Sequence, residues 1–549
     1  MNERFYMIKF LLNSVVILVI SVAVLSSCSQ DNKTNASEET KPQILHIGNG
    51  TEPQGLDPHV VTGIPEFHII TALLEGLVTE DPKTIEPMPG AAESWTLSED
   101  HKTYVFKMRE GAKWSNGDAV TAHDFVYSWK RLITPGLAAE YAYQLFYLKN
   151  AEKYYKGEIT DFNEVGVRAI DDKTLEVKLN NPVPFFLSLL YHHSLYPVHK
   201  GTIEKFGKID SRVSKWTLPG NFVGNGPFVL KKWDINKIIV VEKNPLYWDA
   251  SNVKLKEIHF YPIDNEQTEE RMFRSGQLHL TNIVPNEKIE VYKEKSPELI
   301  NIHPYMGTYY YMINTLKEPF TDPRVRKALA MSIDRRQIVE KITKGGQIPA
   351  YAFTPPNTMG FTPEPAIPYD IEGAKKLLAE AGYPDGKGFP ESELIYNTSE
   401  GHRKIAVAIQ QMWKKTINVN ISLANQDWKV FLDNQRTKNF LISRAAWIGD
   451  YPDPNTFLDM WVTDGGNNHT GWSNKTYDGL IAKAGETIDQ KERYGYFQQA
   501  EKILVDQVPI IPIYTYTRVF LIRPEVKGWY PNILDHHPYQ YVYLEESDK

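Results

Sequence analysis

Residues 394–443 place the tightest constraint on what this chain can fold into. Five segments alternate there: an apolar run at 394–397, a helical stretch at 401–415, a second run at 419–423, a helical stretch at 427–436 and a third run at 440–443. Short strands separated by helix-length segments pair in parallel, because the chain must cross back over the sheet before each new strand begins. The pattern predicts an α/β region with crossover helices. Ligands of such sheets gather at the carboxyl ends of the strands. His402, just after the first run, and Arg444 to Asp450, just after the third, would share that edge. An imidazole, a guanidinium, the Trp447 indole and the Asp450 carboxylate would then meet at one crevice.

The remainder reads as mixed α and β. Strands are expected at 44–47, 103–108 and 175–179, with a turn at Asn116-Gly117 and a helix over 124–132. A turn at Gly224-Asn225-Gly226 precedes alternating runs at 228–233, 238–242 and 258–261, the pattern of antiparallel strands. Asp322-Pro323 supplies an N-cap and a first-turn proline for a long helix running to Gly345-Gly346, and Asp370 opens another that Gly382 stops.

The amino-terminal end bears on the compartment. Arg4 and Lys9 precede an apolar stretch at 10–24, and small residues lead to Cys28, the only cysteine in the chain. This is the pattern of an export signal, 1–27, cut before a cysteine that carries lipid. More than one acyl chain holds a protein firmly to a membrane, whereas one binds marginally. Residues 28–43 contain almost nothing apolar, so they cannot offset their ordering entropy and are expected to form a flexible tether. About 505 residues remain for the body, too many for one core, so two or three domains are expected. The formal charge of −7 becomes −8 once the signal's net +1 is removed, with both signs interspersed. That balance argues against nucleic acid as a partner.

Catalytic constellations were sought and not found. The sequence has no Gly-x-Ser-x-Gly elbow, no His-Glu-x-x-His, no cysteine pair, no phosphate loop and no EF-hand spacing. His192-His193 with His199, and Asp535-His536-His537, read as surface or core histidines rather than metal ligands, and Asp450 with Asp453 as part of an Asp-Pro turn. Neither an enzyme nor a cofactor is expected. Binding needs fewer parts. A zwitterionic peptide wants an acid, a base and free strand edges, and Asp450 and Arg444 offer opposite charges six residues apart, though they could equally pair with each other or with surface groups.

Several motifs then carry a resemblance. NGTEPQGLDPH at 49–59, AESW at 92–95, WSNG at 114–117, DFVYSW at 124–129, PY at 304–305, TYYY at 308–311, NTS at 397–399, NQDW at 425–428 and RAAW at 444–447 resemble, in order, the bacterial periplasmic oligopeptide-binding proteins of the peptide/nickel solute-receptor family. The resemblance implies a two-lobed Venus flytrap fold of α/β class with a third domain. Lobe I would combine 44–74, 201–304 and 521–549, domain II would be an insertion at 75–200, and lobe III would span 305–520. Hinge strands near 303–306 and 518–521 would let the lobes close.

The resemblance also implies roles. Asp450 would accept a ligand's α-ammonium, while Arg444 and His402 would receive the C-terminal carboxylate of ligands of differing length. Tyr141, Tyr305, Tyr310, Trp428 and Trp447 would line side-chain pockets, and the main chain near Ala446 and Ile448 would pair with the peptide as an added strand. The partners implied are short peptides, the permease of an ATP-driven (ABC) importer and, through the lipid, a membrane; the protein would be a periplasmic or cell-surface monomer. Thr62, Thr343 and Gln435 depart from the acid, lysine and arginine of close relatives, although Lys344 and Arg436 lie next to two of them. Gly307 and Ile448 stand where some members have a bridged cysteine pair. A muropeptide, a dipeptide, a signalling peptide or a metal chelate are the alternative ligands; Asp450 argues against the chelate and Thr343 against dipeptides.

Overall fold

The structure is a computed structural model that describes residues 43–545. The expected signal, Cys28 and most of the tether lie outside the described residues. No helix among the described residues is long and apolar enough to cross a membrane.

Three larger sheets organise the chain. The first contains the strands Ile44–Gly48, Glu257–Tyr261, Ile238–Lys243 and Phe228–Asp234, in that spatial order. Its first pair is parallel and the others antiparallel, with Val241 against Ile258 and Leu230 against Val241. The second is wholly antiparallel, built from Ala92–Leu97, Thr103–Met108, Thr174–Lys178 and Val167–Asp171. The third is a six-stranded mixed sheet in the order Ile348–Pro349, Ile510–Leu521, Ile300–Ile313, Ile442–Ile448, Ser392–Asn397, Ile421–Gln426. Its last three strands are the parallel trio expected from the alternation, with Leu394 opposite both Ile442 and Leu423.

Two strands of the mixed sheet are unusually long. Ile300–Ile313 and Ile510–Leu521 pair from Ile300 against Leu521 to Met312 against Ile510. Their far ends reach the first sheet, because Leu280 bridges both Ile47 and Ile522. The register shifts between Pro304 and Thr308, where three residues on one strand face one on the other. Such a bulge locally frees the ladder and bends it. There Met306 leaves the pair and bonds instead to Ile533 O, at 2.7 Å, and Gly449 N, at 2.8 Å.

Two expectations from the sequence need correction. The helix beginning at Asp322 does not run unbroken to Gly345. It covers Pro323–Met331, stops at Ser332, and restarts as Arg335–Ile338 followed by a wider turn, Val339–Thr343. Asp334 caps the restart by accepting from Gln337 N. The buried Arg335 guanidinium donates to Ala330 O and Ile333 O, the carbonyls that the break frees, and to Pro512 O on the long strand. Nor do Gly224-Asn225-Gly226 form the expected turn. A Cβ on Gly224 would lie 2.1 Å from Leu73 O, so glycine is required for a close approach of two backbones. Asn225 exchanges side-chain bonds with the Glu75 backbone, at 3.0 and 2.9 Å.

The loop that follows the first strand is anchored by charge. Asp57 receives the fully buried Arg131 guanidinium in two bonds, of 2.9 and 2.6 Å, from the helix Ala122–Leu132. Removing one partner of such a pair strands the other without solvent. We expect Asp57→Ala to cost about 3–5 kcal/mol and to lower the thermal midpoint, with partial recovery in Asp57→Ala/Arg131→Met. An unchanged midpoint in the single variant would show that Arg131 finds water or another acceptor.

Candidate functional site

A cavity of about 990 Å³ lies between the mixed sheet and the other two. Segments of 50–68, 140–141, 192–193, 212–217 and 263–289 form one wall. Segments of 305–312, 397–405, 428–436 and 444–450 form the other, and the second long strand closes it at 514–519. Asp450, Arg444, His402, Trp447, Trp428, Tyr305, Tyr310, Ala446 and Ile448 lie on this second wall, and Tyr141 lies on the first.

The sequence pattern ends the third parallel strand too early. It continues to Ile448 because residues 444–448 pair antiparallel with Gly307 to Tyr311, placing Tyr311 opposite Arg444 and Gly307 opposite Ile448. On its other edge the strand pairs with Ser392–Asn397 only at Ile442 and Ser443. From Arg444 onward that edge has no strand beside it among the described residues. Gly307 and Ile448 are directly opposed, and a Cβ on Gly307 would lie 2.3 Å from Ile448 Cδ1.

Arg444 and Asp450 mark two ends of this stretch, which spans at most about 20 Å. Arg444 is buried, lies over the Tyr309 ring at 4.8 Å and donates to Tyr516 Oη at 2.9 Å and Asn397 Oδ1 at 3.3 Å. Its Nε has no acceptor, and no carboxylate forms an ion pair with it among the described residues. His402 sits in the first turn of Glu400–Ile417, with its ring 5.6 Å from that of Tyr309. Burial, with help from Arg444, holds its pKa far below the ordinary imidazole value. The two basic groups thus share one end of the cavity.

Asp450 occupies the other end. Its backbone N–H donates to Thr456 Oγ1, its Oδ2 accepts from Gln144 Nε2 at 2.9 Å, and His192 Nε2 lies 3.4 Å from Oδ1. Burial, and then the neighbouring Asp459 carboxylate, push its pKa well above the carboxylate range. Asp459 is itself pushed up to about 7, chiefly by burial, although Tyr147 and Tyr451 donate to its Oδ2 at 3.1 Å. Of the aromatic residues, Trp447 donates its indole N–H to Thr456 O and Trp428 donates to Glu66 Oε1 across the cavity, at 3.3 Å.

On the far wall, sequence reasoning singled out only Tyr141 and Thr62. His192 and His193, read as surface or core residues, both face the cavity, and Gln144 was not singled out. They sit in short turns with no periodicity, so no local signal marked them. The three departures have structural explanations in part. Gln435 donates to Ser443 Oγ and Arg444 O, both at 2.9 Å, and Thr343 to Val339 O at 3.3 Å. Arg436 is paired with Asp433 and Thr62 lies on the cavity wall.

The two walls also bond to each other away from these ends. Glu266 Oε1 accepts from Gly401 N and Ser399 Oγ, both at 3.0 Å, and so caps the helix that carries His402. Tyr147 bonds to Asp459 and Asn455, and Phe185 stacks on Tyr451 with 4.5 Å between centroids.

Comparison with known proteins gives a consistent pattern. The family described as bacterial extracellular solute-binding proteins, family 5 Middle, matches residues 86–469. The chain is 42% identical to the periplasmic oligopeptide-binding protein OppA of Salmonella typhimurium over 496 residues, 89% of this chain and 90% of that one. It superposes on the murein tripeptide-binding protein MppA of Escherichia coli with a TM-score of 0.88 at 39% identity, covering 92% of this chain and 99% of the other. Against the unliganded open form of MppA the score falls to 0.61 at 38% identity, with 93% and 99% covered. Nearly equal identities with unequal scores mean that the arrangement of parts here differs from that open form.

The Asp459 environment yields a pH prediction. Its folded pKa, near 7, exceeds the ordinary 3.8, so between these values the fold binds more protons than the unfolded chain. Its contribution to stability is full below about pH 4 and is lost as pH rises through 7. Asp459→Asn should therefore gain on the wild type between pH 5 and 8, by about 4 kcal/mol at most, as read from melting curves. A constant difference across that range would contradict the assignment.

Proposed function

The chain belongs to the bacterial extracellular solute-binding proteins of family 5, and from that premise we propose that it captures short oligopeptides and delivers them to the permease of an ABC importer. Its role is that of a receptor, not an enzyme. The observation that carries the reading is the cavity: an acid at one end and a guanidinium at the other lack ion partners, with an unpaired strand edge between them.

A peptide in extended form answers each feature. Its α-ammonium meets Asp450, a charge-assisted contact strengthened by exclusion of water. Its carboxylate meets Arg444, with His402 beside it. Its backbone adds to the free edge near Ala446 and Ile448, which reads no side chains and so accepts many sequences. Tyr141, Tyr305, Tyr310, Trp428 and Trp447 offer flat surfaces to those side chains. Because Gln435 bonds within the protein and Arg436 is paired, the carboxylate end rests on Arg444, which favours a narrow range of lengths. The resemblance to MppA keeps a cell-wall peptide as the second candidate ligand.

Lobes built from 44–74, 201–304 and 521–549, and from 305–520, close about strands near 303–306 and 518–521, with 75–200 as the third domain. The register shift between Pro304 and Thr308 supports that hinge, because a bulge bends with less loss of pairing. Cys28 anchors the receptor by lipid on the outer side of a membrane, where it acts as a monomer.

Loss of one partner from a desolvated charge pair costs about 2–5 kcal/mol of binding. Asp450→Ala should weaken trialanine by that amount in calorimetry and N-acetyl-trialanine much less. Equal losses for the two peptides would exclude Asp450 as the ammonium acceptor.

A further inference from the structure

The amine end contains a closed ring of four buried side chains. Asp450 Oδ2 accepts from Gln144 Nε2, and Gln144 Oε1 accepts the Ser194 hydroxyl at 2.7 Å. That hydroxyl lies 2.8 Å from His192 Nδ1, and His192 Nε2 lies 3.4 Å from Asp450 Oδ1. The hydroxyls of Tyr141 and Tyr143 and the carboxyl of Asp459 also face Asp450. His193, His536 and the Tyr141 ring, 4.4 Å away, face His192. No lysine or arginine pairs with Asp450 among the described residues.

This ring holds one acid, one base and no fixed cation. With Asp450 ionised and His192 neutral, the closed cavity buries a bare negative charge, which a low-dielectric interior strongly opposes. One proton on the pair removes the imbalance. The hydrogens can be counted as well. Ser194 has a single hydroxyl hydrogen for two neighbours, and Gln144 Oε1 can only accept. Given to Gln144, it obliges His192 to present Nδ1–H to Ser194 Oγ; the Ser194 backbone N–H, 3.4 Å from Nδ1, is the weaker claimant. His192 Nε2 then faces Asp450 Oδ1 with no hydrogen of its own. Burial raises the pKa of Asp450 and lowers that of His192, in keeping with a neutral acid beside a neutral base.

We propose that His192 is a second residue of the amine end: with Asp450 it holds one proton whenever the cavity closes without an ammonium, and the ligand's α-ammonium takes that proton's place. This rests on the peptide reading above. Gln144 and His192 come from the 75–200 segment and Asp450 from the mixed sheet, so opening separates them. In an open, hydrated cleft an ordinary carboxyl titrates near 3.9 and an imidazole near 6.5, so the two groups hold one proton between about pH 4 and 6.5 and none above. Above pH 6.5 closure without an ammonium draws a proton from solvent and becomes harder as pH rises. Closure upon an ammonium draws none.

The test compares trialanine with N-acetyl-trialanine by calorimetry from pH 5 to 8. The carboxylate end, including His402, contributes alike to both peptides and cancels in the ratio of affinities; Asp459, which couples to Asp450, is removed by repeating the comparison in Asp459→Asn. For the wild type, N-acetyl-trialanine should bind with nearly constant affinity from pH 5 to 6.5 and lose about 10- to 30-fold between pH 6 and 8, one proton being worth tenfold per unit. Trialanine should change less than about threefold over the same interval, allowing for its own amino group near 7.7–8.0. Asp450→Asn should flatten the N-acetyl-trialanine profile, and His192→Gln should abolish its midpoint near 6.5. Parallel profiles for the two peptides, failure of N-acetyl-trialanine to bind at pH 6, or an unchanged midpoint in His192→Gln would overturn the proposal. Failure of trialanine to bind at any pH would instead remove the peptide reading on which it rests.

Discussion

An acid and a guanidinium, Asp450 and Arg444, are buried near one strand with no carboxylate paired to Arg444 and no lysine or arginine paired to Asp450 among the described residues, and much of the surrounding structure serves to make that tolerable. A charge removed from water costs several kcal/mol unless dipoles or an opposite charge replace the lost hydration. Around Arg444 the replacements are the Tyr309 ring and the oxygens of Asn397 and Tyr516. Around Asp450 they are Gln144, His192 and Tyr141, all from a different part of the chain. Neutral dipoles of this kind hold a charge in position without cancelling it. Neither end is cancelled by a fixed countercharge, so both remain available to a ligand that carries both signs.

The same arrangement explains why the walls bond to each other. Glu266 caps the helix beginning at Glu400, and Tyr147 reaches Asp459, so closure satisfies backbone N–H groups and carboxyl oxygens from opposite sides. The strands Ile300–Ile313 and Ile510–Leu521 run past the cavity with register shifts between Pro304 and Thr308 and between Tyr309 and Tyr310. Their continuity keeps the two walls in one chain path. TM-scores of 0.88 and 0.61 against two structures of one relative, at nearly constant identity, show that the arrangement of parts here matches the first and differs from the open form.

What the sequence disclosed follows from the range of the forces involved. The parallel trio was legible because its alternation of strand and helix lengths is a local pattern. Asp322, Asp370 and Gly382 mark helix ends through contacts within one turn, and they do so here. The continuation of the third strand through Arg444 to Ile448 was not legible, since it depends on pairing with Gly307 to Tyr311, more than a hundred residues away. The break after Met331 was missed because the Arg335 side chain that satisfies the freed Ala330 and Ile333 carbonyls is also held by a tertiary bond to Pro512 O, which no local pattern marks. His402, Arg444, Trp447 and Asp450 were placed at one crevice by the alternation of strand and helix, whereas Tyr141, Tyr305, Tyr310 and Trp428 came through resemblance. Gln144, Ser194 and His192 matched no motif, and only the fold brings them beside Asp450.

Small-angle scattering tests the central account most directly, because it reads closure without reference to any one residue. The receptor at pH 7.5 should shrink on addition of free-amino tri- to pentapeptides, toward the compact dimensions of residues 43–545 as described here, and stay expanded with the corresponding single amino acids. Identical curves with and without peptide, at concentrations where calorimetry also detects no heat, would contradict a cavity that shuts around a zwitterion.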